Sequence, residues 1–85
     1  MLAMGARQAH DLADDRLRTL QHQLRHGWRI ESPVIERAIF HAASSGGRGY
    51  EVILCLRQVR QVLALPDTQA VRDFIAGLDV AVVAI

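Results

Sequence analysis

Lysine and asparagine are absent from this 85-residue chain, cysteine occurs once, proline twice, and four side chains are aromatic. Each shortage narrows what the protein can be. A lone thiol, Cys55, cannot build an internal disulfide framework, so the sequence points to a reduced, cytoplasmic setting. The longest uninterrupted apolar run, residues 80–85, falls far short of the roughly 20 residues that span a bilayer, and no membrane partner is expected. Residues 1–5 give way to a charged stretch over 11–18, without the long apolar core of a secretory signal. Excess charge of one sign is missing too. Ten arginines against nine acidic residues leave a net +1, so bulk attraction to nucleic acid is not expected. Codon usage in a GC-rich genome explains the absence of lysine as well as selection for guanidinium chemistry does. Only a local arginine cluster would reopen the nucleic-acid question.

What remains is 51% hydrophobic and 22% charged, the composition of one small globular domain over residues 1–85. Ala6, Ala9, Ala13, Leu17, Leu20 and Leu24 recur at spacings of three and four, which predicts a helix over 6–26 with one packed face. Asp14 and Arg18 stand at i,i+4, and Gly27 is suited to the left-handed conformation that ends a helix. Trp28-Arg29-Ile30-Glu31 alternates apolar and polar, the pattern of a half-buried strand. From Ser32-Pro33 onward two readings compete. One is a helix capped by Ser32 with Ile35, Ala38, Ile39 and Ala42 on one face; the other is an extended chain kinked at Pro33.

Residues 44–49 hold three glycines and form a loop. Residues 50–56 and 62–65 suit two strands joined by a turn near 57–60. That turn has no glycine, and Val52, Leu56, Val59 and Leu63 also fit a helical stripe. Asp67 is placed to accept hydrogen bonds from the first amides of a second helix. Val71, Phe74, Ile75 and Leu78 form that helix's apolar face, and Gly77 or Asp79 ends it. Residues 80–85 read as a last strand with no polar residue to shield it, and so as a sheet edge open to another chain.

The combination Gly27-Trp28-Arg29-Ile30-Glu31 with Pro33-Val34, then Tyr50 with Ile53-Leu54, then Leu65-Pro66-Asp67 with Val71-Arg72 and Phe74, resembles a family of short bacterial proteins of unassigned function. The resemblance covers residues 17–84. It implies strands over 34–42 and 50–65, with a tight polar turn at Arg57-Gln58, and it implies no activity.

Candidate chemistry is thin. His22 and His26 lie one helical turn apart, the spacing for two imidazoles to share a metal, but no third ligand accompanies them and no metal site is expected. His10 and His41 gain no partner by spacing. Cys55 sits inside an apolar run, the setting of an inert buried thiol, and Glu31, Glu36, Asp14 and Asp15 suit solvated faces. The glycine loop lacks a phosphate-binding fingerprint and leads toward a strand. Trp28, after a helix-ending glycine, suits a core anchor or, if exposed, an interface hot spot.

The sequence therefore predicts an α+β fold in the order helix-strand-strand-strand-helix-strand, with a mainly antiparallel sheet and both helices on one face. No catalytic residue, cofactor or metal is expected, and the chain does not read as an enzyme. The expected function is a small interaction module that self-associates as a homodimer through an exposed sheet face or edge. Trp28, Val80, Val82, Val83 and Ile85 are the interface candidates, and an unidentified protein partner is a second use of the same surface. The alternative is a nucleic-acid or polyanion binding module contacting its ligand through Arg48, Arg57 and Arg60.

Overall fold

The computed structural model describes residues 5–38 and 47–85, with side chains described from residue 12 onward. Helix α1 (Gly5–Arg25) buries Ala13, Leu17 and Leu20, with Leu24 packed at their margin; Ala6 and Ala9 of the predicted stripe lie outside the described side chains. Its end is a Schellman turn. Gly27 takes φ +94°, its N–H donates to the Leu24 carbonyl, and the Trp28 N–H reaches back to the Gln23 carbonyl. Arg18 pairs with Asp15 at i,i+3, not with Asp14 as the i,i+4 spacing suggests. Three residues along a helix also stand side by side, so either carboxylate is within reach.

Strand β1 (Arg29–Ala38) is one continuous extended element. It settles the competing readings of the Pro33 region in favour of strand as far as residue 38; residues 39–42 lie outside the described residues. β1 pairs antiparallel with β2 (Arg48–Leu56), and Ser32, Pro33 and Val34 stand across the single residue Val52, because the register shifts between Glu31 and Ile35. This bulge keeps alternation correct on both sides while turning Val34 fully into the core. The Ser32–Pro33 peptide bond is cis.

β2 turns into β3 (Val59–Pro66) through the two residues Arg57 and Gln58, the tight turn that the resemblance implies. Arg57 has φ +57° and is the only non-glycine with positive φ among the described residues. Positive φ at the first central position alone is the type II′ arrangement, which glycine normally fills; an L side chain there costs about 1–2 kcal/mol.

Because β2 is antiparallel to both neighbours, β3 and β1 run the same way, and helix α2 (Gln69–Ala76) carries the chain back across one sheet face. Its cap is Thr68, whose hydroxyl accepts from the Val71 N–H at 3.3 Å, and not Asp67 as the sequence suggested. β3 continues through Pro66, so the helix opens one residue later. Asp67 instead accepts from Arg72 Nη1 at 2.7 Å and from the Tyr50 hydroxyl at 3.5 Å. Gly77 closes α2 in an ordinary right-handed conformation.

The last strand, β4 (Val82–Ala84), is shorter than residues 80–85 and joins β1 in parallel, giving the order β3-β2-β1-β4. The fold is the predicted α+β arrangement. Val34, Tyr50, Val52, Leu54 and Leu65 of the sheet meet Ala13, Leu17 and Leu20 of α1 and Val71 and Ile75 of α2 in one core on one face. No helix among the described residues is long and apolar enough to cross a membrane.

Candidate interaction surface

The two sheet edges differ. On β3, Arg16 of α1 donates to the Ala64 carbonyl at 2.5 Å, occupying a main-chain acceptor that would otherwise be open, and Arg60 and Gln61 stand along the strand. On β4, the Ala81 carbonyl accepts from Val34 N–H at 2.8 Å and Ile85 N–H donates to the Glu36 carbonyl at 2.9 Å. Alternate residues of a strand aim their main-chain groups to opposite sides, so Val82 and Ala84 present theirs to the open edge. Of the five large apolar residues exposed among the described residues, Val82, Val83 and Ile85 belong to this segment, at 44%, 43% and 71%. β4 is thus an apolar edge without a charge or a bulge.

The five interface candidates do not form one patch. Val82 pairs beside the fully buried Val34 and faces the helices, whereas Val83 pairs beside Ile35 and faces the opposite side. Val80 is half-buried against the core. Trp28 is half-buried against it too, at the start of β1 and away from the β4 pairing site. Trp28 therefore serves as the core anchor.

The face turned away from the helices carries a diagonal apolar stripe, Val83–Ile35–Ile53–Val62, placed by the strand registers. Arg37 with Glu51 (3.4 Å) borders one side of it. On the other side, Arg60 of β3 reaches Glu31 of β1 at 3.0 Å, crossing over β2. That crossing explains why Ile53 and Cys55 are only half-exposed on a face that no described element covers. The Cys55 thiol donates to the Arg57 carbonyl at 3.4 Å, and no histidine contacts it among the described residues.

On the helix side, beside β4, an open cleft of about 280 Å³ is lined by Tyr50, Arg72, Ile75, Leu78, Val80 and Val82. Its polar groups are already partnered: Tyr50 and Arg72 share Asp67, and Arg72 also donates to Gln69 at 3.1 Å. Burial first, then the carboxylates of Asp67 and Glu36, hold the Tyr50 hydroxyl above its ordinary range, while Arg72 pulls the other way. A pKa raised in the folded state gives a contribution fully present below the unfolded value of 10.0 and lost as pH rises through the folded value. The protein is accordingly expected to lose stability to urea as pH climbs past about 10, and Tyr50→Phe to lack that share of the loss. Tyr50 is the sole tyrosine, so phenolate absorbance in the same samples reports its ionisation directly. Identical alkaline slopes for the two proteins would show that the phenol is not held in this way.

Arg48 and Arg57 lie at opposite ends of β2. Arg48 is engaged with the Glu36 carboxylate and with the Glu36 and Ile85 carbonyls, while Arg60 stays near Arg57 at the hairpin end. The three arginines therefore do not converge. His22 and His26 are exposed, their rings 4.1 Å apart at the centroids, with His26 Nδ1 2.8 Å from the His22 carbonyl. No group of three or more His, Cys, Asp or Glu side chains among the described residues could hold a metal. No family model, curated protein or solved structure matches the chain.

Proposed function

We propose that the protein is a small non-enzymatic interaction module that forms a homodimer by pairing β4 with the β4 of a second copy. The observation that carries this reading is the contrast between the edges: β3 has a capped carbonyl and sets Arg60 and Gln61 between its exposed Val59 and Val62, while β4 presents Val82 and Ala84 main-chain groups amid exposed apolar residues with no charge among them.

A second copy suits the edge by symmetry. Antiparallel pairing about a two-fold axis through Val83 sets Val82 against Ala84 of the other copy, where both residues exchange their outward N–H and C=O groups. Val83 then meets its own counterpart on one face, and Val82 with Ala84 borders the cleft on the other, extending each four-stranded sheet into an eight-stranded one. Four such hydrogen bonds give about 4 kcal/mol net, comparable only to the low end of the roughly 4–15 kcal/mol cost of association. Burial of Val82, Val83 and Ile85 must supply the rest, and the dimer is accordingly weak and concentration-dependent. The lone thiol suits a reduced, cytoplasmic setting for such a module.

The test is native mass spectrometry and sedimentation over a tenfold dilution series. Ala84→Pro removes an N–H that β1 does not use, so it is expected to abolish the dimer while leaving the circular dichroism spectrum of the monomer intact. A wild-type chain that stays monomeric at high micromolar concentration, or an Ala84→Pro variant that dimerises equally well, would overturn the proposal.

A further inference from the structure

We infer that the end of the domain where α1 stops and the β2–β3 hairpin turns binds the phosphodiester backbone of nucleic acid, through Arg25, Arg29 and Arg57 with Arg60 beside them. The inference is independent of dimerisation, because β4 pairs with residues 34–36 of β1, away from this end.

The distribution of arginine partners carries it. Nine of the ten arginines have described side chains. Six are engaged: Arg16 with the Ala64 carbonyl, Arg18 with Asp15, Arg37 with Glu51, Arg48 with Glu36, Arg60 with Glu31 and Arg72 with Asp67. Arg25, Arg29 and Arg57 have no ion pair or side-chain hydrogen bond among the described residues, and all three are exposed. They are also neighbours. Arg29, Cys55 and Arg60 form one register row across β1, β2 and β3, which sets Arg29 and Arg60 two strand spacings apart on the same face, about 9.5 Å. Arg57 occupies the turn just beyond that row. Arg25 lies in the last turn of α1, and Gly27 that follows it stands within side-chain contact distance of Leu56, next to the turn. On the strands at this end the one acidic side chain is Glu31, already held by Arg60. A near-neutral chain thus carries a locally basic end, which its net charge conceals.

The turn supplies a second observation. Arg57 keeps a positive φ at a position made for glycine, and its exposed guanidinium has no hydrogen bond or ion pair among the described residues. A strained position that retains a large charged side chain without an internal partner points to an external one.

The ligand follows from the chemistry. Guanidinium forks match phosphate oxygens two at a time, and several cations gathered at one end of the domain suit a chain of anions better than a single ion. Trp28 is half-buried against the core, and among the described residues no exposed Phe, Tyr or Trp stands at this end; the one ring beside the arginines is the exposed His26 imidazole, which is stacked on His22. Contact is therefore with the backbone, independent of sequence and sensitive to salt. An anionic membrane fits less well, because among the described residues the end exposes two large apolar side chains, Val59 and Val62, and no unpacked amphipathic helix to insert.

The experiment is fluorescence anisotropy of a labelled single-stranded DNA oligonucleotide with the full chain, beginning at low salt. Three to four phosphate contacts predict saturable binding whose log affinity falls with log salt at a slope of about −2 to −3. Arg29→Ala combined with Arg57→Gly is expected to weaken binding about tenfold or more and to flatten the slope by about 1–2. Arg57→Gly alone is expected to raise the melting temperature while lowering affinity, a pair of changes that simple loss of structure cannot produce. Arg18→Ala, on an exposed pair at mid-helix, serves as the unaffected control. Absence of binding at low salt, equal binding by the double variant, or a preference for phosphatidylserine vesicles over the oligonucleotide would each overturn the assignment.

Discussion

Leu20→Ala is expected to lower the unfolding free energy by about 2–5 kcal/mol, read as a fall in the urea midpoint with the slope unchanged. Leu20 is fully buried, and with Ala13 and Leu17 it is the buried part of what the described side chains of α1 bring to the core. The substitution removes the larger part of a side chain from a site that helix and sheet backbones hold open, so a cavity term adds to the lost transfer energy. A domain of this length has a total stability of roughly 4–13 kcal/mol, so the loss is a large fraction of the whole. At about 4–8 °C per kcal/mol, the melting temperature falls by about 10 °C or more. Leu24→Ala, at a half-buried site on the same helix, is expected to cost markedly less. A cost for Leu20→Ala below about 1 kcal/mol would mean that α1 is not locked onto the sheet.

That helix was legible because its period is unambiguous: three- and four-residue spacing fixed both the element and its buried stripe, and Gly27 marked its end. The strands were less so. Residues 52–63 fit a helical stripe as well as two strands, and the deciding feature, an arginine in the glycine position of a two-residue turn, breaks the local rule by which hairpins are recognised. The Pro33 region was ambiguous for a related reason. The bulge interrupts regular pairing at Ser32 and Pro33, the two residues that equally suit a helix cap and first turn, so local signals fit either element. Asp67 and Thr68 are both good caps, and composition could not say which residue leaves the strand and which opens the helix.

The candidate sites were legible only in part, because partnership is a tertiary property. Val82, Val83 and Ile85 stood out as an apolar edge, but their division between two faces follows from the parallel pairing with β1. Arg48 looked like a companion to Arg57 and Arg60 along the sequence; it opens the nine-residue strand β2, whose other end meets the turn, and Glu36 neutralises it. Arg25 and Arg29 carried no signal that distinguished them from the other arginines until the ion pairs were known. Counting charges found a nearly neutral protein, whereas among the described residues the arginines without a side-chain partner number three, all at one end.

Leu54→Asp and Ile53→Asp are expected to behave in opposite ways although the residues are adjacent. Leu54 is 1% exposed on the face that packs against the helices, and Ile53 is half-exposed on the other. A carboxylate at position 54 has no cation in the apolar cluster to pair with, and an unpaired buried charge costs several kcal/mol, enough to unfold much of the population of so small a domain at neutral pH. The buried acid would have its pKa raised above the unfolded value. The protonated form then favours folding, and the deficit relative to wild type shrinks as pH falls toward about 4. At position 53 the new carboxylate stays in reach of water and of Arg60, which crosses β2 to Glu31, and the expected change is within about 1 kcal/mol. Chemical denaturation of both variants at two pH values decides the matter. Equal costs at neutral pH would mean that the strand register, and with it the assignment of every outward residue on β1, β2 and β3, is displaced by one.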